Sequence, residues 1–261
     1  MDYDYTFVYN NIKFGVIDGN QGLLIVKTGS GGNIYGYENK YLLLSEHVNK
    51  KYDFTVIVSD NPQEISPLNN FDTTLLVAEK YTLNYNCHDI YYFGVSKGAS
   101  YAAMYAYKYK WVSKWMAVNM PIFINWHLLK DGLDKLKAPQ KMFVLFGTKD
   151  QSYRYNEVLD LVKGNISKGF IPNINHNFNI FYKYTKNYSK SEILTVRSFW
   201  SIYNAMPVSP ANMTPPMQKP HKSNAMPMPR YANNNDQVLR QVLQLKGLKS
   251  RNFGGLFTSV T

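Results

Sequence analysis

Asp89-Ile90-Tyr91-Tyr92-Phe93-Gly94-Val95-Ser96-Lys97-Gly98-Ala99 is an apolar run that ends in Gly-x-Ser-x-Gly and passes into a helix-like segment. It reads as a strand, a sharp turn and a helix, with the Ser96 hydroxyl lifted out of a sheet at the turn. A serine in that position sits in strained backbone geometry that only well-determined surroundings can hold. Strand and helix pass so closely there that the positions two before and two after the serine must be nearly without side chains. Gly94 and Gly98 occupy them. The start of the helix aims backbone N–H groups at any anion that forms beside the serine. The plainer alternative is a glycine-bearing loop with a solvated serine. The rest of the chain must therefore supply an acid and a histidine in a suitable order.

Working outward from this stretch, short apolar runs alternate with helical periodicity. Buried strands are expected at 22–27, 54–58, 90–95, 114–118 and 141–147, each apolar or β-branched and bounded by turn residues. A weaker strand is expected at 169–172, and residues 6–17 read as a hairpin at the sheet edge. Helices are expected at 39–51, 71–83, 99–110, 125–136, 156–162 and 191–203, where apolar residues recur at three- and four-residue spacing. Alanines 99, 102, 103 and 106 give the helix behind the elbow a face that packs tightly on a sheet. The fold class is α/β, a mostly parallel sheet with helices on both faces. In such sheets ligands bind beyond the carboxyl ends of the strands. Ser30, Ser96 and Asp150 each fall just past such an end.

A serine hydroxyl is a poor nucleophile until a base takes its proton and a third group orients that base. His176, in a polar asparagine-rich loop, is the candidate base, and Asp150, directly after a buried strand, is the candidate orienting acid. The order Ser…Asp…His is the one expected of a strand-turn-helix serine. His88 precedes its strand and belongs at the other end of the sheet. His127 comes before Asp150, His47 lies within a helix and His221 in the tail. Glu157 and Asp160 read as a solvated helix face. Attack on a carbonyl creates an oxyanion, which needs prearranged donors. The Lys97 N–H is one. The loop Gly29-Ser30-Gly31-Gly32 is placed for the second, with the Ser30 or Gly31 N–H as the donor. The Lys97 side chain itself is expected to face solvent.

The glycine loop does not match a phosphate-binding pattern. It has no Gly-x4-Gly-Lys-Ser/Thr, and Gly36 comes one place too late for Gly-x-Gly-x-x-Gly. No histidine pair stands at metal-ligand spacing, and no cofactor or metal is expected.

With these residues in place, the chain resembles a small member of the α/β-hydrolase superfamily. The resemblance rests on Gly94-x-Ser96-x-Gly98, on Asp150 after its strand, on His176-Asn177-Phe178, and on the 29–32 loop where the family places its oxyanion loop. It covers residues 20–205 and implies a serine nucleophile working through an acyl-enzyme. Two departures stand out: Thr28 replaces the histidine that many lipases and esterases carry before that loop, and almost no lid is expected. The Gly-x-Ser-Lys-Gly-Ala form is also similar to bacterial acyl-esterases and acetyltransferases that act on surface glycans.

The totals fit a globular domain with an unusual tail. Of 261 residues, 45% are hydrophobic, which is ordinary for a folded protein. The single cysteine, Cys87, excludes an internal disulfide and a cysteine metal cage. The N-terminus lacks a secretory pattern, and no apolar run approaches a membrane span, so a soluble cytoplasmic protein is expected. Residues 206–261 carry seven Lys/Arg against Asp236, or +6 of the net +11. Residues 206–230 hold seven of the twelve prolines and five of the ten methionines, a flexible linker composition.

The expected organisation is a catalytic domain at 1–205, a linker at 206–236 and a basic segment at 237–261. In that last segment Val238, Leu239, Val242, Leu245 and Leu248 fall near one helical face. Such a helix suits a protein partner or an anionic membrane; nothing indicates nucleic acid specifically.

The leading reading is a serine hydrolase cleaving a carboxylic ester of a small molecule or glycan. Acyl transfer on the same three residues, such as O-acetyl transfer to a glycan, is the first alternative. A non-catalytic binding protein acting through its basic tail is the second.

Overall fold

The computed structural model describes residues 2–82 and 89–176. Cys87, His88, Asn177, Phe178, the helix expected at 191–203, the linker and the basic segment lie outside the described residues.

Among the described residues, eight strands form one sheet in the order β1-β2-β4-β3-β5-β6-β7-β8. The hairpin β1 (Tyr5–Tyr9) and β2 (Ile12–Ile17) is antiparallel, and β2 also runs antiparallel to β4 (Phe54–Ser59). Every other pairing is parallel, through β3 (Gly22–Lys27), β5 (Asp89–Val95), β6 (Lys114–Val118), β7 (Lys141–Gly147) and β8 (Ile166–Ile171). All six residues of β3 are buried, as are all but the first of β4, β6 and β7. Burial on both faces explains why these strands are continuous apolar runs rather than alternating ones. The edge strand β8 is half-buried except at the exposed Phe170, and its polar Ser167 and Lys168 obscure its first three residues in the sequence.

Four α-helices are described: α1 (Lys40–Tyr52), α2 (Pro67–Thr82), α3 (Lys97–Tyr105) and α4 (Trp126–Asp134). α1 packs on β2 and β4; α3 packs on β5 and β6 and against α2 and α4. Phe71 of α2 meets the rings of Tyr92 and Trp115 on the sheet at centroid distances of 5.6 and 6.1 Å.

Three helices depart most from expectation. α2 begins four residues before Phe71. Ser66 Oγ accepts the Asn69 N–H at 3.3 Å, and Pro67 fills the first helical position, where its missing N–H is harmless. The helix behind the elbow stops at Tyr105 and tightens into a 3-10 turn at Ala106–Lys108. The helix expected at 156–162 is a 3-10 run spanning Gln151–Leu161 that buries only Ser152 and Leu159. Its sequence lacks a regular apolar stripe, and the Asn156 amide bonds the Tyr153 carbonyl at 2.7 Å, a local bond that competes with α-helical pairing.

Candidate active site

The chemistry sits where β3, β5, β6 and β7 end. At the end of β5, Ser96 has φ 52° and ψ −118°, outside the regions open to most side chains. Its N–H donates to the Val118 carbonyl at 2.8 Å, which ties the turn to β6. The two glycines explain how the turn closes. A Cβ on Gly94 would stand 2.7 Å from the Gly98 carbonyl oxygen, and one on Gly98 would stand 2.6 Å from the Lys27 carbonyl oxygen. No methyl group fits at either position, so β5, α3 and the end of β3 approach to backbone contact.

At the end of β7, the Asp150 carboxylate accepts the Ser152 N–H at 2.6 Å through Oδ1. Its Oδ2 lies 2.5 Å from His176 Nδ1, and His176 Nε2 lies 2.9 Å from Ser96 Oγ. The Asp150 side chain is fully buried, whereas that of His176 is 49% exposed. Facing a carboxylate, Nδ1 is the donor, which leaves the Nε2 lone pair turned to the Ser96 hydroxyl. The structure thus joins Ser96, Asp150 and His176 in one chain of hydrogen bonds. Of the other histidines, His127 is exposed at the start of α4 and His47 lies within α1. Among the described residues no cluster of three or more His, Cys, Asp or Glu side chains gathers at metal-binding distance.

The glycine loop after β3 stands beside the serine. A Cβ on Gly29 would lie 3.3 Å from that of Ser96. The two predicted loop donors part company here. The Gly31 N–H is committed to the Asn61 carbonyl at 2.9 Å, and Gly31 has φ 65°. That is a correction to the pair: Gly31 shapes the turn, and Ser30 is the loop residue that lines the cavity. The Lys97 N–H is the first of α3, where no intrahelical partner exists. Thr28, in place of a histidine, closes the loop with a 2.9 Å bond from its hydroxyl to the Gly32 carbonyl.

Two groups of residues escaped the sequence reading. Asn119, fully buried just past β6 with φ 48°, donates through Nδ2 to the carbonyls of Asn175 and His176 at 3.0 Å each. Its Oδ1 accepts the Gly147 N–H at 2.9 Å. One side chain thus holds the histidine loop against the end of β7. Its signal was present, since an asparagine tolerates left-handed geometry and this one follows a buried strand.

The second group starts at Lys27, the last residue of β3, whose side chain is fully buried. Its ammonium donates to the Asp60 carbonyl at 2.6 Å, to Thr74 Oγ1 at 3.0 Å and to Asn70 Oδ1. Burial pushes Lys27 down to about 7, only partly countered by the nearby Asp60 charge. Asn70 Nδ2 donates to Asn61 Oδ1 at 2.8 Å, and Asn61 Nδ2 to the Thr28 carbonyl at 3.0 Å. A buried polar network therefore latches the glycine loop from behind.

A cavity of about 680 Å³ opens over these residues, within the usual size of a small-molecule site. Ser30, Ser96 and His176 line one part of it. The connection from β6 into α4 supplies a wall through Pro121, Phe123, Ile124 and Leu129. This short excursion forms one side of the cavity. Lys97, expected to face solvent, is half-buried and lines it too.

No family model and no curated protein matches the sequence. Solved structures do match. Est1E from Butyrivibrio proteoclasticus superposes with a TM-score of 0.58 at 13% identity, over 77% of this chain and 97% of its own. An alpha-beta serine hydrolase homologue from Coxiella burnetii gives 0.57 at 12% identity, over 78% and 99%. S-formylglutathione hydrolase (FrmB) from Staphylococcus aureus gives 0.54 at 11% identity, over 69% and 91%. The strand order, the elbow and these superpositions agree: the chain carries the fold of the α/β-hydrolase superfamily.

Proposed function

We propose that the protein is a serine hydrolase acting on carboxylic esters. The observation that carries this reading is the hydrogen-bonded chain Asp150–His176–Ser96, at 2.5 and 2.9 Å, between residues 26 and 80 positions apart in sequence. Groups so far apart in the chain meet by tertiary design. A buried acid, a half-exposed imidazole and a strained serine are the parts that activated-serine chemistry requires.

Ser96 Oγ attacks the ester carbonyl carbon while His176 Nε2 takes its proton. Asp150 holds the ring in position and stabilises the imidazolium. The carbonyl oxygen, now an oxyanion, is met by the N–H groups of Lys97 and Ser30. Collapse expels the alcohol, which receives the proton from His176 and leaves an acyl-Ser96. Water, deprotonated by His176, then bonds the acyl carbon; collapse breaks the bond to Ser96 Oγ, which takes the proton back from His176 as the acid leaves. Metal and cofactor play no part in this sequence. An acceptor alcohol in place of water would turn the same cycle into acyl transfer, and product analysis with an added sugar or alcohol separates the two outcomes.

A fluorophosphonate probe tests the reading. The wild-type chain should be labelled and Ser96→Ala should not; equal labelling of the two proteins would refute it.

A further inference from the structure

The cavity has a direction. Lys97, Ser100, Tyr101 and Met104 of α3 all line it. Their spacing of three, four and seven residues places them on one helical stripe. At 1.5 Å per residue the stripe runs roughly 10 Å from the turn beside Ser96. Its character changes along the way, from an ammonium and a hydroxyl, through a phenol, to a thioether.

The far end is where α4 crosses α3. A Cβ on Gly132 would lie 2.3 Å from the Ala103 carbonyl oxygen, so the two helices touch backbone to backbone there. Leu129, one turn earlier on α4, is fully buried and lines the cavity beside that crossing. Phe123 and Ile124, 46% and 52% exposed, border the same space. Water around these side chains is released when an apolar group covers them. Sugar hydroxyls would lose hydrogen bonds to water there and find few replacements.

We propose, resting on the serine-hydrolase reading above, that the substrate is an ester carrying a linear apolar group. That group lies along α3, and Met104 and Leu129 limit its length. The group belongs to either the acyl or the alcohol side of the ester, and both present the same chemistry to the trough. An extended chain advances roughly 1.2 Å per bond, so a trough of roughly 10 Å holds about eight carbons.

The test is a pair of ester series on the full chain: p-nitrophenyl acetate, butyrate, hexanoate, octanoate and dodecanoate, and acetates of alcohols of matching length. In one series kcat/KM should rise by up to about fourfold per methylene and level off near eight carbons. The series that rises identifies the side of the ester that enters the trough. Met104→Trp, which fills the far end, should move the optimum to shorter chains and lower the octanoate-to-butyrate ratio at least tenfold. If that variant does not fold, the wild-type series decides alone. Flat profiles in both series, with fluorophosphonate labelling intact, would overturn the trough and leave the hydrolase reading standing. No labelling and no turnover of any ester would overturn both.

Discussion

At Ser96 the backbone conformation and the side-chain chemistry are linked. A φ of 52° on a serine is held by the bond from its N–H to Val118 and by the two glycines that let strand and helix close around it. His176 depends in the same way on groups that hold it in place. Asp150 fixes its ring through Nδ1, and Asn119 fixes its backbone through the Asn175 and His176 carbonyls. Asp150→Asn tests the first of these. An amide replaces an acceptor-only carboxylate, the proton moves to the wrong ring nitrogen, and kcat should fall by a factor on the order of 10⁴. Esterase kinetics beside a circular dichroism spectrum checks this; near-wild-type turnover by a folded variant would contradict it.

Among the elements, α3 carries the most. Its first turn supplies the Lys97 N–H, its glycine meets the end of β3, and its outer stripe lines the cavity. Gly98→Ala would place a methyl group 2.6 Å from one backbone carbonyl oxygen and 2.7 Å from the next. Backbone cannot swing aside as a side chain can, so β3 and α3 must part. The loss of stability should be about 1–3 kcal/mol, and slower fluorophosphonate labelling should accompany it. Urea unfolding measures the first effect; an unchanged midpoint would show that the elbow has slack. The 3-10 run after Asp150 makes a different point. Its 3-10 winding follows from local side-chain bonds and weak periodicity, features that a search for helical stripes does not weigh.

For the molecule as a whole, Lys27 ties separate parts of the chain to the active rim. From the end of β3 it reaches the segment after β4 and the body of α2, and Asn70, which it binds, holds Asn61 against the Thr28 carbonyl at the start of the glycine loop. Three oxygen acceptors suit an ammonium, while burial disfavours its charge. With the folded value near 7 and the ordinary value at 10.5, the unfolded chain holds more protons than the folded one between those limits. The contribution of this group to stability therefore rises with pH from about 7 toward 10.5, and is flat below about 7, where both states are protonated. Unfolding midpoints of wild type and Lys27→Met across pH 6–10 isolate the effect, since the variant lacks the titrating group. Relative to the variant, wild type should gain stability across the upper part of that range. A constant difference would show that Lys27 keeps its proton throughout.

The sequence was legible wherever one physical signal dominated. Continuous apolar runs placed β3, β4, β5, β6 and β7 to within a residue, because strands buried on both faces must be apolar throughout. The elbow glycines were legible because no other residue fits so close a crossing. Positions in chain order nominated Ser96, Asp150 and His176. Only the tertiary structure decided which groups meet. It brought those three within hydrogen-bond distance, committed the Gly31 amide to Asn61, and revealed Asn119 and Lys27 as supports of the rim. Those roles depend on neighbours contributed by other strands and loops. A residue type and its spacing state what a side chain is able to do, while the packed sheet determines what it touches.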